Sequence, residues 1–259
     1  MAFADALRGL LGGALDIVLP AICPTCETFV ASQGLMCAAC FRQTAFITDP
    51  ACVRCGVPFA HVGEAGAERI CESCRQSPPL FSAARAALRY DAQARRLILP
   101  LKHADRPDMA RVLAPLMVRA GAAVLRGTDL LVPVPLHRRR LRARRYNQAA
   151  VLTQLIARQA GVPAMLDGLV RVRATPSLAE KGAAERAALI SGSIVVSGKR
   201  AGAIGGKRVT VVDDVMTSGA TANACAAALL AVGAASVAVL AGARVPDPRA
   251  NPRSIDVRA

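Results

Sequence analysis

A chain of 259 residues has room for one medium domain and a small one, and its 53% apolar content is enough for a proper core. Lys and Arg outnumber Asp and Glu by 33 to 18, a net charge of +15 that favours polyanionic company such as phosphorylated ligands, nucleic acid or an anionic membrane surface. Charge does not choose among these, and compositional drift in an Ala- and Arg-rich chain produces it with no partner at all. No stretch reaches the roughly 18 uninterrupted apolar residues of a membrane helix.

Residues 5–22 read as a moderately amphipathic helix interrupted by Gly12, Gly13 and Asp16. Asp5 precedes Arg8 and no unbroken apolar middle follows, so the segment is expected to be neither secretory signal nor span, and the protein to be soluble and cytoplasmic.

Eight of the nine cysteines then fall as four Cys-x2-Cys pairs: Cys23/Cys26, Cys37/Cys40, Cys52/Cys55 and Cys71/Cys74. That spacing lets two thiolates converge on one ion, and two such knuckles complete a tetrahedral sulfur site for Zn2+, so eight ligands imply two zincs. With four thiolates each, no coordination position stays open, and the ions are expected to be structural. Sequential pairing joins the first two knuckles at one ion and the last two at the other, but a crossed pairing uses the same spacings. His61 is a spare loop histidine. All six phenylalanines (Phe3, Phe29, Phe41, Phe46, Phe59, Phe81) lie in or beside this region, where packing filler is the expected role and base stacking the alternative.

Arg75-Gln-Ser-Pro-Pro-Leu80 is a polar, Pro-rich joint, which predicts an N-terminal helix and double zinc ribbon over residues 1–77 and a second domain over 78–245. Beyond the joint, Ala83 to Tyr90 reads as a strand and Ala92 to Leu99 as a helix stopped by Pro100. Leu130-Leu-Val-Pro-Val-Pro135 reads as a buried strand end beside a loop. His137 to Gln148 follows, with six arginines in the eight residues 138–145. Arg forks suit phosphate oxygens, the same run suits a nucleic-acid backbone, and a solvated basic helix face is the plain alternative.

Val209, Val211 and Val212 form a β-branched run of the kind buried in a parallel sheet, which puts Asp213 and Asp214 at its carboxyl end, where open α/β sheets hold ligands. Thr217, Ser218, Gly219, Ala220 and Thr221 then supply hydroxyls, a residue that lets backbone approach closely and the first amides of an Ala-rich helix, a combination suited to a phosphate dianion. The two acids suit vicinal ribose hydroxyls. This stretch resembles the phosphoribosyl-pyrophosphate (PRPP) motif of type I phosphoribosyltransferases, in which the loop after the first core strand takes the pyrophosphate. By that resemblance Arg138, Arg139 and Arg140 face the pyrophosphate. Ala222 to Val232 continues as helix, Ser236 to Leu240 as strand, and the Pro- and Arg-containing tail 246–259 is expected to be disordered. Cys225 reads as a small buried hydrophobe.

Four Cys-x2-Cys knuckles, Leu101-Lys102, Val-Pro-Val-Pro-Leu-His-Arg-Arg-Arg-Leu-Arg-x-Arg with Tyr146-Asn147-Gln148, and Asp213 to Thr221 together resemble the ComF family over residues 1 to about 245. The resemblance implies an α/β fold: a type I phosphoribosyltransferase-like parallel sheet flanked by helices, with a small N-terminal double zinc ribbon. It implies PRPP with Mg2+ as ligand, a role in competence and DNA uptake, and single-stranded DNA and DNA-processing proteins as partners. Phosphoribosyl transfer would use Asp213 and Asp214; a non-catalytic PRPP or nucleotide sensor is the alternative. Arg171 to Arg186 corresponds to the mobile loop of such enzymes. Leu178 and Leu189 to Ile194 depart from the family pattern, which bears on the second substrate.

Overall fold

The computed structural model describes residues 20–102, 106–174 and 183–246. The expected helix at 5–22 falls mostly outside them, as do the centre of the 171–186 loop and all but the first residue of the 246–259 tail. By compactness the chain divides into two units, one ending at Thr44 and the other beginning at Ala45. Composition changes at the Pro-rich joint near residue 78, whereas compactness changes at residue 44.

In the first unit, Cys23, Cys26, Cys37 and Cys40 surround one point, and a short helix α1 (Ala38–Gln43) carries the last of them. Thr44 closes that helix by donating its hydroxyl to the Cys40 carbonyl at 2.9 Å.

The second unit opens with two further short helices, α2 (Val62–Ala65) and α3 (Glu72–Gln76). His61 caps α2, its Nδ1 accepting the Glu64 N–H at 3.1 Å, so the spare histidine has a structural task. There follow β1 (Ala83–Arg89), α4 (Ala92–Leu101), α5 (Met109–Ala120), α6 (Ala122–Arg126), β2 (Leu130–Pro133), α7 (Arg138–Arg144), α8 (Gln148–Ala160) and β3 (Leu169–Arg171). The chain continues through α9 (Ala183–Ile190), β4 (Ile194–Val196), α10 (Ala201–Ile204), β5 (Arg208–Met216), α11 (Ala220–Ala231) and β6 (Ser236–Arg244).

Four strands form a sheet in the order β1-β6-β5-β2, every neighbouring pair parallel. Helices α5 and α8 cover one face, and α11 with the antiparallel β3–β4 pair covers the other. A sheet covered on both faces needs strands apolar on both sides, and β2 and most of β6 are buried without alternation. Leu113 and Met117 of α5 and Leu152 and Ile156 of α8 are fully buried against it, each worth about 1.5–3 kcal/mol of apolar transfer.

Two expected boundaries shift. Pro100 does not stop α4, which runs to Leu101. A proline in the last turn removes a single N–H donor, and the Lys102 N–H still closes the end on the Leu99 carbonyl at 2.9 Å. β6 runs to Arg244 rather than Leu240, because Ala241 and Ala243 pair with Asp213 and Val215 of β5 in register.

The segment just before the second pair of knuckles joins the sheet. Ile47 N–H donates to the Ala87 carbonyl at 2.9 Å, Arg89 N–H to the Ala45 carbonyl at 2.8 Å, and Phe46 bridges Leu88 in antiparallel sense. Cys52, Cys55, Val57, Cys71 and Cys74 then share one apolar core with Phe81, Ala84, Val211 and α11.

Candidate functional site

β5 pairs with β2 only as far as Val212 opposite Pro133, so Asp213 and Asp214 pass beyond the carboxyl end of β2 while still held by β6. The pleat sends alternate residues to opposite faces. Asp213 turns to the α11 face, where Arg171 and Cys225 act on it, and Asp214 turns to the other, where Lys102 Nζ stands 3.4 Å from its Oδ2. Asp213 folds back so that its Oδ1 accepts the Asp214 N–H at 2.9 Å. Burial pushes the Asp213 carboxyl well above the usual carboxylate range, the neighbouring Asp214 carboxylate adds to this, and Lys102 opposes it.

Past Met216 the chain turns through Thr217 and Ser218, both exposed, into Gly219. Gly219 has φ +83°, a left-handed conformation costly to a side chain, and a Cβ there would also lie 3.0 Å from the Met216 methyl. Its carbonyl accepts the Asn223 N–H at 2.8 Å and starts α11, whose N-terminus has no side-chain cap. The first amides of α11 therefore face the turn with the positive end of the helix dipole behind them. On α11, Cys225 is fully buried, and burial raises its thiol pKa, as fits a small hydrophobe.

The arginine segment differs from a simple loop. Arg138–Arg144 forms α7, capped by His137, whose Nδ1 accepts the Arg139 N–H at 3.3 Å. None of its residues is buried. α7 starts a few residues beyond β2, the neighbour of β5, so it stands at the same end of the sheet as the two acids. Arg140 lies near Arg171, and Arg171 near Asp213, so Arg140 approaches the acids across a second arginine. Arg138 and Arg139 are exposed on α7. Arg171 is buried, and burial, with Arg140 beside it, holds its guanidinium pKa down.

Tyr146 and Asn147 fix this region. Tyr146 Oη donates to the Leu101 carbonyl at 2.6 Å; Asn147 caps α8 through its Oδ1, and its Nδ2 donates to the Val134 carbonyl at 3.0 Å. Sequence reasoning assigned no contact with the acids to Lys102 or Arg171, and it passed over Arg244. This last residue, buried at the end of β6, donates from Nε to the Cys55 carbonyl at 3.1 Å and from a terminal nitrogen to the carbonyls of Met216 at 3.3 Å, Thr217, and Val245 at 2.8 Å.

The cysteines pair sequentially: Cys23, Cys26, Cys37 and Cys40 form one cluster, and Cys52, Cys55, Cys71 and Cys74 the other, with all sulfurs of a cluster within 4.8 Å of one another. A tetrahedral zinc with bonds of about 2.3 Å spaces its sulfurs about 3.8 Å apart. Cys26 and Cys37 Sγ are 3.6 Å apart, as are Cys55 and Cys71 Sγ, so both clusters fit the ion. Backbone N–H groups support the sulfurs, Cys40 N–H to Cys37 Sγ and Cys71 N–H to Cys52 Sγ, each at 3.4 Å.

Residues 14–75 match the double zinc ribbon domain family. The chain is 29% identical over 229 residues to the DNA utilization protein YhgH of Salmonella typhimurium, covering 86% of this chain and 96% of that one. It is 28% identical over 222 residues to Competence protein F of Haemophilus influenzae, covering 83% and 92%. Among solved structures, a hypoxanthine phosphoribosyltransferase from Staphylococcus aureus overlaps 57% of this chain and 69% of its own at 14% identity with a TM-score of 0.33. The allosteric regulatory enzyme of purine biosynthesis overlaps 54% of this chain and only 25% of its own at 22% identity with a TM-score of 0.34. At those scores the fold rests on the sheet itself, not on superposition.

A parallel sheet flanked by helices, an acid pair running into an uncapped helix start and two four-cysteine sites define an α/β protein that carries a double zinc ribbon. The chain thus matches the double zinc ribbon domain over residues 14–75 and is similar to Competence protein F over most of both chains.

Proposed function

We propose that the turn from Asp213 to Thr221 binds PRPP, and that the protein works in DNA uptake and handling through that ligand. One observation carries the reading: β5 delivers two mutually crowded carboxylates directly into a glycine-formed turn at the uncapped N-terminus of α11. The exposed Thr217 and Ser218 hydroxyls and the amides of Ala220 and Thr221 would take the 5-phosphate. Asp213 and Asp214 would hold the ribose hydroxyls, and Arg138, Arg139 and Arg140 of α7 the pyrophosphate, with Arg171 between α7 and the acids. Crowded carboxylates fit a divalent cation, and Mg2+ bound with PRPP would neutralise charge on the diphosphate. If transfer occurs, an acceptor nucleophile forms its bond to C1 of the ribose while the C1–oxygen bond breaks and pyrophosphate leaves with the electron pair.

A second reading, a PRPP- or nucleotide-sensing factor that binds single-stranded DNA without turnover, is favoured by the wholly unburied arginine helix α7 and by the names of the relatives. Beyond Phe81 only Tyr90 and Tyr146 carry a phenyl or phenol ring and Trp is absent, and the Tyr146 hydroxyl is already tied to Leu101. DNA contact beyond Phe81 would therefore be dominated by the phosphate backbone and weaken steeply with salt.

Titration with PRPP and Mg2+, followed by assay for pyrophosphate release with candidate acceptors, tests both readings. Binding that disappears in Asp213→Asn/Asp214→Asn supports the site; binding without release under any acceptor supports the sensor. A zinc-replete protein that gives no binding heat with PRPP in excess Mg2+ would falsify both.

A further inference from the structure

Beyond the apolar core that the second cysteine cluster shares with the sheet, close backbone and polar contacts tie the knuckle that carries Cys52 and Cys55 to the strands. Gly56, at φ +68°, approaches β1 so closely that a Cβ would lie 2.8 Å from the Ala84 carbonyl oxygen. Arg85 reaches the Val53 carbonyl at 3.4 Å, and Arg244 the Cys55 carbonyl at 3.1 Å.

Of these residues, Arg244 also holds the ligand turn. Its four described hydrogen bonds all end on main-chain carbonyls: one on a ligand residue of the second cluster, two on Met216 and Thr217 where the turn begins, and one on Val245. A planar guanidinium is pre-organised to grip several oxygens in fixed geometry, so displacing one anchor tilts the fork away from the others. Charge acts in the same direction. A zinc ion with four thiolates carries a formal charge of about −2, and the buried Arg244 guanidinium donates to the carbonyl of one of its ligand residues.

We propose that Arg244 is a positioning residue that makes the shape of the 217–219 turn depend on metal in the second cluster. Loss of that ion releases the Cys55 carbonyl, the guanidinium shifts, and the Met216 and Thr217 carbonyls that set the entry to α11 lose their donor. The effect on ligand affinity rests on reading the turn as a phosphate grip; the effect on the turn itself does not.

Amide hydrogen exchange of Asn223 and Val245, whose N–H groups bond the Gly219 and Met216 carbonyls on either side of the turn, tests this in the ligand-free full chain, with zinc counted in each sample. Arg244→Ala, still holding two zincs, is expected to speed exchange there tenfold or more, Arg244→Lys less. Partial zinc removal by a chelator should speed the same amides in the wild-type chain but add little in Arg244→Ala, because one contact carries both effects. PRPP affinity with Mg2+ should fall about tenfold in Arg244→Ala. Wild-type exchange in a zinc-replete Arg244→Ala, or chelation effects that simply add in the two chains, would overturn the proposal. If the Ala variant does not fold, Arg244→Lys answers by the same comparison. If the wild-type chain fails to bind PRPP, the phosphate reading falls, while the exchange data still decide what Arg244 does.

Discussion

The two cysteine clusters share one spacing rule and differ in what surrounds them. In the first, Cys26 is exposed and Cys37 only partly covered, and the cluster sits in a unit that ends at Thr44. In the second, all four cysteines are buried, and they share an apolar core with the sheet and with α11. An isolated knuckle has little core of its own and relies on its metal for order. A knuckle set into a larger core both lends and borrows stability. Equal motifs therefore do not imply equal consequences when the metal is lost.

Breaking the second cluster should have the largest effect. Cys71→Ser should lose one zinc per chain and lower the unfolding free energy of the larger unit by about 4 kcal/mol or more, because a metal ligand and a packed core element go together. Metal analysis with scanning calorimetry checks this; a normal melting transition in the one-zinc protein would mean the two clusters are equivalent after all.

Gly219→Ala sharpens the comparison by disturbing the turn without touching either metal. Forcing a side chain to φ +83° should cost about 1–2 kcal/mol, with both zincs retained and PRPP binding weakened.

Asp213→Asn should instead stabilise the chain, on the order of 1 kcal/mol at neutral pH, while impairing binding. The sign follows from the raised pKa. A carboxyl that holds its proton more tightly folded than unfolded loses stability as pH rises from the ordinary carboxylate range through its folded value, and an amide removes that loss. Melting temperature against pH should fall across that window in the wild-type chain and stay flatter in the variant.

The smallest effect on the larger unit is expected from Cys37→Ser, which should also lose one zinc but move the main transition by less than about 0.5 kcal/mol. The order of the two cysteine variants is the point at issue, and its reversal would invert the roles assigned to the clusters.

What the sequence disclosed follows from how local the signal is. Knuckle spacing and the run from Val209 to Thr221 are contiguous patterns, so ligand set, strand, acids and turn could be read directly. Cluster pairing could not, since sequential and crossed arrangements use the same residues. Arg244 left no local mark: it closes a run of small residues in β6, and its bond to Cys55 spans 189 positions. Lys102 stood out as a motif residue, but its partner Asp214 lies more than a hundred positions along the chain. Arg171 was seen only as the start of a loop, because nothing local shows that its strand end turns toward Asp213. The arginine run was legible as charge, with a solvated basic helix face as one reading, but the helix bounds were not, because capping by His137 and the left-handed Arg145 that ends it are features of backbone geometry.

The pairing of Phe46 with Leu88 has a consequence for the outer margin of the sheet. β1 has β6 on one side only, and residues 45–47 occupy hydrogen-bonding positions on the other. A chain begun at the Pro-rich joint would leave those amides and carbonyls of β1 bare, a template on which other chains could add strands and aggregate. One begun at Ala45 would bring its own protective selvage.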